Sequence, residues 1–177
     1  MTEAMGGEIE VESEKDVGTK FTVTLPFTPT VAEEGKTTGD EPKRLDGINV
    51  LMAEDNELNA EIAEFFLKDS GAEVTCVSNG KEAVEAFERS APGEFDIILL
   101  DMMMPEMNGT KAAEVIRKLE RPDAETIPIF AMTANLFEND IEECKKAGMD
   151  EHIAKPLNAA KLTETIFKYV HKKRGAK

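Results

Sequence analysis

From Asp46 onward, short apolar runs alternate with stretches in which apolar residues recur every three or four positions. "INVLMA" (Ile48–Ala53) predicts a buried strand. "ELNAEIAEFFLKDSG" then carries Leu58, Ile62, Phe65 and Phe66 at helical spacing and stops at Gly71. "EVTCV" (Glu73–Val77) is strand-like, and "NGKEAVEAFERS" sets Ala83, Val84 and Phe87 on one helical face. "FDIILL" (Phe95–Leu100) predicts the third strand and "GTKAAEVIRKLE" the third helix. "IPIFAM" (Ile127–Met132) is a fourth strand, followed by the helix "NDIEECKKAGM" with Ile141, Cys144 and Met149 inward. "EHIAK" gives a short fifth strand, and "NAAKLTETIFKYVHKK" closes the unit with Leu162, Ile166, Phe167 and Val170 toward the core. Strands alternating with helices in this way predict an α/β fold, a doubly wound parallel sheet covered on both faces. The near-continuous hydrophobicity of the first, third and fourth strands agrees with burial on both sides.

The first 46 residues follow a different pattern. "GGEIEVESEKDVGTKFTVTLPF" has two alternating stretches, Glu8–Ser13 and Lys20–Leu25, joined at "EKDVG", which predicts a β-hairpin over residues 1–27. "TPTVAEEGKTTGDEPKR" is polar and rich in Thr, Pro, Gly and Glu, so 28–46 is expected to be a flexible linker. The main domain is expected over 47–174, with its boundary near Leu45.

Composition narrows the function classes. The chain has 177 residues, 41% hydrophobic and 32% charged, ordinary for a soluble globular protein. A formal net charge of −15 argues against a nucleic-acid surface, because phosphate contacts need clustered Lys and Arg. The basic run "KKRGAK" at Lys172–Lys177 reads as a solvated end. Cys76 and Cys144 fit no metal-binding or redox spacing and are expected to be buried or half-buried thiols. No apolar run is long enough for a membrane helix and no signal-peptide pattern opens the chain, so a cytoplasmic location without membrane contact is expected.

In an open parallel sheet the ligand crevice lies beyond the carboxyl ends of the strands. Glu54 and Asp55 follow the first strand, Asp101 the third, Thr133 the fourth and Lys155 the fifth. Three carboxylates converging on one edge cannot all ionise without a cation. Oxygen ligands suit Mg²⁺, with Mn²⁺ as a substitute. A hydroxyl and an ammonium opposite them suit the oxygens of a phosphoryl group. The acid pair could instead cap the first helix, but Asn56 is available for that. The methionines at 102, 103, 104 and 107 read as soft packing, because thioethers suit Cu(I) rather than Mg²⁺.

Glu54-Asp55, "LLDMMMPEMNG", "MTA" at Met132–Ala134 and "KP" at Lys155-Pro156 together resemble the response-regulator receiver domain of two-component signalling, in order and spacing, over about Ile48 to Val170. The resemblance implies a flavodoxin-like strand order of 2-1-3-4-5 and phosphorylation of Asp101 by a phosphohistidine donor. It implies Mg²⁺ held by Asp55, Asp101 and the backbone carbonyl of Met103, with Glu54 acting through water. Lys155 and Thr133 would hold the phosphoryl oxygens, and the small Ala134 would leave room for donor and phosphate. His152 stands where such domains usually carry an aromatic switch residue coupled to Thr133. A partly buried structural imidazole is the alternative there. A cis Lys155-Pro156 bond is expected, since an X-Pro bond tolerates cis at low cost in a tight turn. Met103 and Asn135 are the side chains best placed to guard the phosphate from an in-line water. Neither a thioether nor a neutral amide can act as a base, so slow self-dephosphorylation is expected.

"MGGEIEVESEKDVGTKFTVTLPF" resembles the last two strands of the histidine-kinase ATP-binding domain, with Asp16-Val17-Gly18-Thr19 as the tail of its second glycine box. The box usually opens on glycine; here that position is Asp16. Kinase-domain end, linker and receiver is the layout of a hybrid histidine kinase, whether this piece is an isolated fragment or a truncated reading frame. Its partners would be a histidine kinase core or a histidine phosphotransfer protein, then a downstream protein. The parent kinase would be free to sit at a membrane, and this piece alone would lack kinase activity. Two other classes use the same topology. A degenerate receiver acting only as an interaction module is disfavoured by the intact Asp101, Thr133 and Lys155. A phosphatase or flavin protein is disfavoured by Met103 two residues after the nucleophile and by the acidic edge.

Overall fold

Three asparagines decide where the first three helices of the main unit begin. Asn56, Asn79 and Asn108 each take extended backbone angles and accept a hydrogen bond from a backbone N–H three residues on, satisfying donors the first turn leaves open. These helices belong to a computed structural model that describes residues 7–14, 18–24, 26, 43–134 and 138–174, the side chains of 138–140 and 172–174 excepted.

Two units are present, Met1–Asp40 and Glu41–Lys177. In the first, β1 (Glu8–Glu14) and β2 (Gly18–Thr24) pair antiparallel in full register, as the alternation predicts. Ile9 faces Val23 and Val11 faces Phe21, and all four side chains are exposed. The turn at 15–17 and most of the expected linker lie outside the described residues.

The second unit runs β3 (Asn49–Ala53), α1 (Glu57–Asp69), β4 (Glu73–Val77), α2 (Gly80–Arg89), β5 (Ile97–Asp101), α3 (Gly109–Arg117), β6 (Ile129–Thr133), α4 (Glu138–Lys146), β7 (Glu151–Ala154) and α5 (Ala159–Arg174). The five strands are parallel in the order β4-β3-β5-β6-β7, which is 2-1-3-4-5 counted within this unit. Alternate residues of β3 and β5 feed two cores. Val50, Met52, Ile97 and Leu99 pack with Leu67 of α1 and Leu162, Ile166 and Val170 of α5. Leu51, Ala53, Ile98 and Leu100 pack with Phe87 of α2, Ile116 of α3 and Cys144 of α4. Coverage on both faces explains why these strands read as unbroken apolar runs.

The packed body reaches upstream into the segment read as linker: Leu45 is fully buried, and its N–H donates to the Ser70 carbonyl at 2.7 Å. Two side-chain expectations need correcting. On α1 the buried residues are Ala63 and Leu67, whereas Leu58, Ile62 and Phe65 are 64%, 42% and 66% exposed. The helix has apolar residues on more than one face, and the small Ala63 beside Leu67 forms the contact with the sheet. Cys76 is exposed, because β4 is the sheet's edge strand; Cys144 is buried as expected.

Candidate active site

Parallel pairing brings the strand ends level. Ala53 pairs with Leu100, Asp101 with Met132, and Thr133 with Ala154, so the residues following β3, β5, β6 and β7 meet at one edge. Glu54, Asp101 and Thr133 are buried there, while Asp55 is exposed. Together with Asn59, Met103, Ala134 and Lys155 of the same edge, Asp101 and Thr133 line a cleft of about 410 Å³.

One carboxylate oxygen from each of Glu54, Asp55 and Asp101 lies within 4.8 Å of the others. The Lys155 ammonium, its side chain 17% exposed, sits 2.9 Å from Asp101 Oδ2 and 2.5 Å from Glu54 Oε2. Burial alone would lower its pKa, but the hydrogen bonds and negative charge of Asp101 and Glu54 outweigh that and hold it above the ordinary lysine value. Lys155 is therefore a fixed cation at neutral pH. Glu54 Oε1 accepts from Asn59 Nδ2 at 3.0 Å, so both its oxygens are engaged. The Met103 N–H points at Asp101 Oδ1 at 3.3 Å.

An all-oxygen cluster of this kind fits a hard divalent cation such as Mg²⁺, which takes one or two carboxylates and keeps waters. Asp55, which is exposed, and Asp101, which is buried but lines the cleft, could offer oxygens to such an ion directly. Glu54, already held by Lys155 and Asn59, suits a water-mediated contact.

The loop after Asp101 is tightly specified. Met102 N–H donates to the Met132 carbonyl at 3.0 Å, and Gly80 N–H to the Met107 carbonyl at 3.0 Å. Glu106 takes the left-handed conformation at φ 61°. At Gly109 a Cβ would collide with the Asp101 carbonyl oxygen, so glycine alone lets α3 start this close beneath the acid. The Lys155-Pro156 bond is cis, as expected.

The residues expected at the site thus come together, with two exceptions. Asn135 lies outside the described residues. His152 does not line the cleft: it sits on β7 opposite Ala131, half-buried, its Nδ1 3.4 Å from Glu151 Oε1, while Glu151 Oε2 accepts from the Tyr169 hydroxyl at 3.2 Å. Asn59 escapes the sequence reading. An amide in a first helical turn looks like solvated polar surface, and only its position just after Glu54-Asp55 hints at a role.

The response regulator receiver domain model matches residues 50–167. The aerobic respiration control sensor protein ArcB of Escherichia coli is 40% identical over 166 residues, covering 93% of this chain and 21% of that protein. Hybrid signal transduction histidine kinase L of Dictyostelium discoideum is 37% identical over 130 residues, 73% of this chain and 8% of that protein. The chain therefore spans about a fifth or less of these relatives. Among solved structures, the receiver domain of sensor histidine kinase PA1611 from Pseudomonas aeruginosa, with magnesium ion coordinated in its active site cleft, is 35% identical at a TM-score of 0.64, covering 71% of this chain and 98% of that one. The receiver domain of the Saccharomyces cerevisiae response regulator Ssk1, solved with the histidine phosphotransfer signaling protein Ypd1, is 26% identical at a TM-score of 0.62, covering 71% of this chain and 90% of the solved one. Among the described residues no helix is long and apolar enough to cross a membrane. Parallel 2-1-3-4-5 topology, an acid cluster with a facing lysine at the strand ends and these matches agree: the chain belongs to the response regulator receiver domain family.

Proposed function

We propose that Asp101 accepts a phosphoryl group from a phosphohistidine on a partner protein, in a reaction that needs Mg²⁺. The observation carrying this reading is the pairing of Asp101 Oδ2 with the Lys155 ammonium at 2.9 Å inside a carboxylate cluster. An Asp101 oxygen attacks phosphorus, the P–O bond forms as the P–N bond breaks, and the imidazole leaves and takes up a proton. Asp55, Asp101 and the Met103 carbonyl would hold Mg²⁺, with Glu54 acting through water; the cation supplies charge that screens the two anions from each other. Lys155 moves from its bridge between Glu54 and Asp101 to a phosphoryl oxygen, and the Thr133 hydroxyl takes another. Ala134, exposed at the rim, leaves space for the donor. The magnesium in the Pseudomonas receiver supports the metal.

The exposed stripe of Leu58, Ile62 and Phe65 supplies the docking surface. It lies on α1, whose first turn carries Asn59 into the cleft, so a partner seated there presents its histidine to Asp101. The Ssk1 complex supports a histidine phosphotransfer protein as that partner; a histidine kinase core is the other donor of the same chemistry. Phosphorylation is read out through Thr133 and residue 152 as a change in the surface of α4 and β7, met by a downstream protein. Residues 1–27 are the end of a kinase ATP-binding domain, followed by a linker that ends before Leu45 and by the receiver, whose core includes Leu45. The 93% coverage against the E. coli sensor supports this, since it extends well upstream of residue 47. So does the apolar hairpin face of Ile9, Val11, Phe21 and Val23, which suits cover by a larger domain. The test is incubation with acetyl phosphate and Mg²⁺, read by intact mass. One added phosphoryl group, lost in excess EDTA, is expected; no addition, or addition indifferent to EDTA, contradicts the reading.

A further inference from the structure

The segment Asp101–Gly109 carries four methionines, and they are not equivalent. Met102, Met104 and Met107 are partly buried and pack against the core formed with Leu100, Ala112 and Cys144. Met103 is 80% exposed and lines the cleft with Asp101, Thr133 and Lys155. Met52, Met132 and Met149 are buried. Among the described residues, Met103 is thus the one exposed methionine, and it lines the cleft of the phosphoacceptor; Met102 lines that cleft too but is partly buried.

Thioether oxidation follows access to solvent, and it turns an apolar side chain into a polar one. The thiols compete poorly for the same oxidant. Cys144 is buried with its Sγ 3.5 Å from Met102 Sδ. Cys76 is exposed, but burial of part of its surroundings and the charges of Glu64 and Glu54 push its thiol pKa up, leaving little thiolate.

We propose that Met103 is a redox-modification site: a peroxide converts it to the sulfoxide, and the sulfoxide shortens the life of the phosphoryl group on Asp101. This rests on Asp101 being the phosphoacceptor. A lone pair of Met103 Sδ attacks one peroxide oxygen, the S–O bond forms as the O–O bond breaks, and the departing oxygen takes up a proton to leave as water or an alcohol. Sulfur is oxidised by two electrons and the peroxide reduced by two. The native thioether is a weak acceptor that can cover the approach to phosphorus. The S=O oxygen is a strong acceptor on the same side chain, able to draw a water into the cleft and orient it for attack on the acyl phosphate. Oxidative conditions are thereby converted into faster loss of signal, and a methionine sulfoxide reductase restores the original lifetime.

The experiment uses the full chain. It is treated with dilute hydrogen peroxide, freed of oxidant, labelled with acetyl phosphate and Mg²⁺, and followed by intact mass after donor removal; peptide mapping locates the added oxygen. Expected are oxidation at Met103 ahead of Met102, Met104 and Met107, decay at least about twofold faster, and recovery after reductase treatment. In Met103→Leu, which lacks the oxidisable sulfur, peroxide should leave that variant's own decay rate unchanged. Oxidation of the inward methionines first, unchanged decay of the Met103-oxidised form, or equal acceleration by peroxide in Met103→Leu would each overturn the proposal. Labelling of the untreated protein separates the two readings. If it labels and only the peroxide effect is missing, the oxidation proposal alone falls; if it never labels, the phosphoacceptor reading falls and takes this one with it.

Discussion

Asp101 ends the most apolar strand of the chain, and its neighbours show why a carboxylate is tolerated there: Lys155 compensates its charge at 2.9 Å, and the cleft gives it access to solvent. This much was legible in the sequence, because α/β topology collects strand-end residues at one edge, and Glu54, Asp55, Asp101, Thr133 and Lys155 each follow an apolar run. The partnership of Glu54 with Asn59 was not legible, since it depends on the rotation of α1 rather than on residue type. The place of Met103 two residues after Asp101 was legible, but its exposure was not, since composition cannot tell four methionines apart. Its position at the cleft leads to an expected outcome. Met103→Asn, which replaces a weak acceptor with an amide able to orient water, should speed decay of the phosphorylated form several-fold, a barrier change of about 1 kcal/mol. The measurement is loss of the label after donor removal with Mg²⁺ present. An unchanged rate would show that this side chain does not guard the phosphate.

At the scale of elements, periodicity located every helix and strand of the receiver, but it did not decide which face α1 buries. Leu58, Ile62 and Phe65 read as a helical stripe, yet the sheet is met by Ala63 and Leu67. The apolar stripe left in water on the helix beside the cleft is the surface proposed to seat the histidine partner. Leu58→Glu with Phe65→Glu should slow transfer from a phosphorylated histidine partner about tenfold or more, in line with the loss of central apolar anchors. Labelling by acetyl phosphate and thermal stability should hardly change, because neither residue packs in the core; parallel loss of both labelling routes would instead indicate damage to the site itself. The loops at the opposite sheet edge carry a different device. Asp123 accepts from Arg121 and from the Gly93 N–H, while Arg121 stacks over Phe87 and donates to the Phe87 carbonyl, tying α2 to the segment after α3. The Arg121 hydrogen bond, against the opposing effect of burial, holds the Asp123 carboxyl below its ordinary value. A folded-state pKa lowered in this way stabilises the fold above the unfolded carboxylate value of about 3.9 and is lost as pH falls through the folded value. Asp123→Asn should therefore cost about 1–3 kcal/mol at neutral pH, with the difference from the parent closing below about pH 3.9. Urea unfolding of both proteins across that range checks it; a pH-independent difference would argue against the ion pair.

The molecule as a whole is a receiver preceded by a hairpin, in a chain of net charge −15 that spans 21% of the E. coli sensor it resembles. That a hairpin precedes the receiver was legible because the alternating period of residues 8–25 gives way, after a polar stretch, to alternating strands and helices. The reach of Leu45 into the receiver core was not, since one leucine in a polar stretch carries no period. Signalling at this scale needs a surface that changes when Asp101 is modified. Beryllofluoride with Mg²⁺ should move NMR resonances of α4 and β7, through Thr133 and residue 152, and leave those of the hairpin largely in place; an α4–β7 region unmoved by saturating beryllofluoride would rule that coupling out. The signalling expectations depend on which atom receives the phosphoryl group. The most direct measurement labels the protein with acetyl phosphate and Mg²⁺, reduces the acyl phosphate with borohydride, and maps the resulting homoserine by tandem mass spectrometry. Homoserine at position 101, and none in Asp101→Asn, is the expected result; homoserine at 55, 5-hydroxynorvaline (the reduction product of a glutamyl phosphate) at 54, or label that survives in Asp101→Asn, would contradict the assignment of Asp101 as the phosphoacceptor.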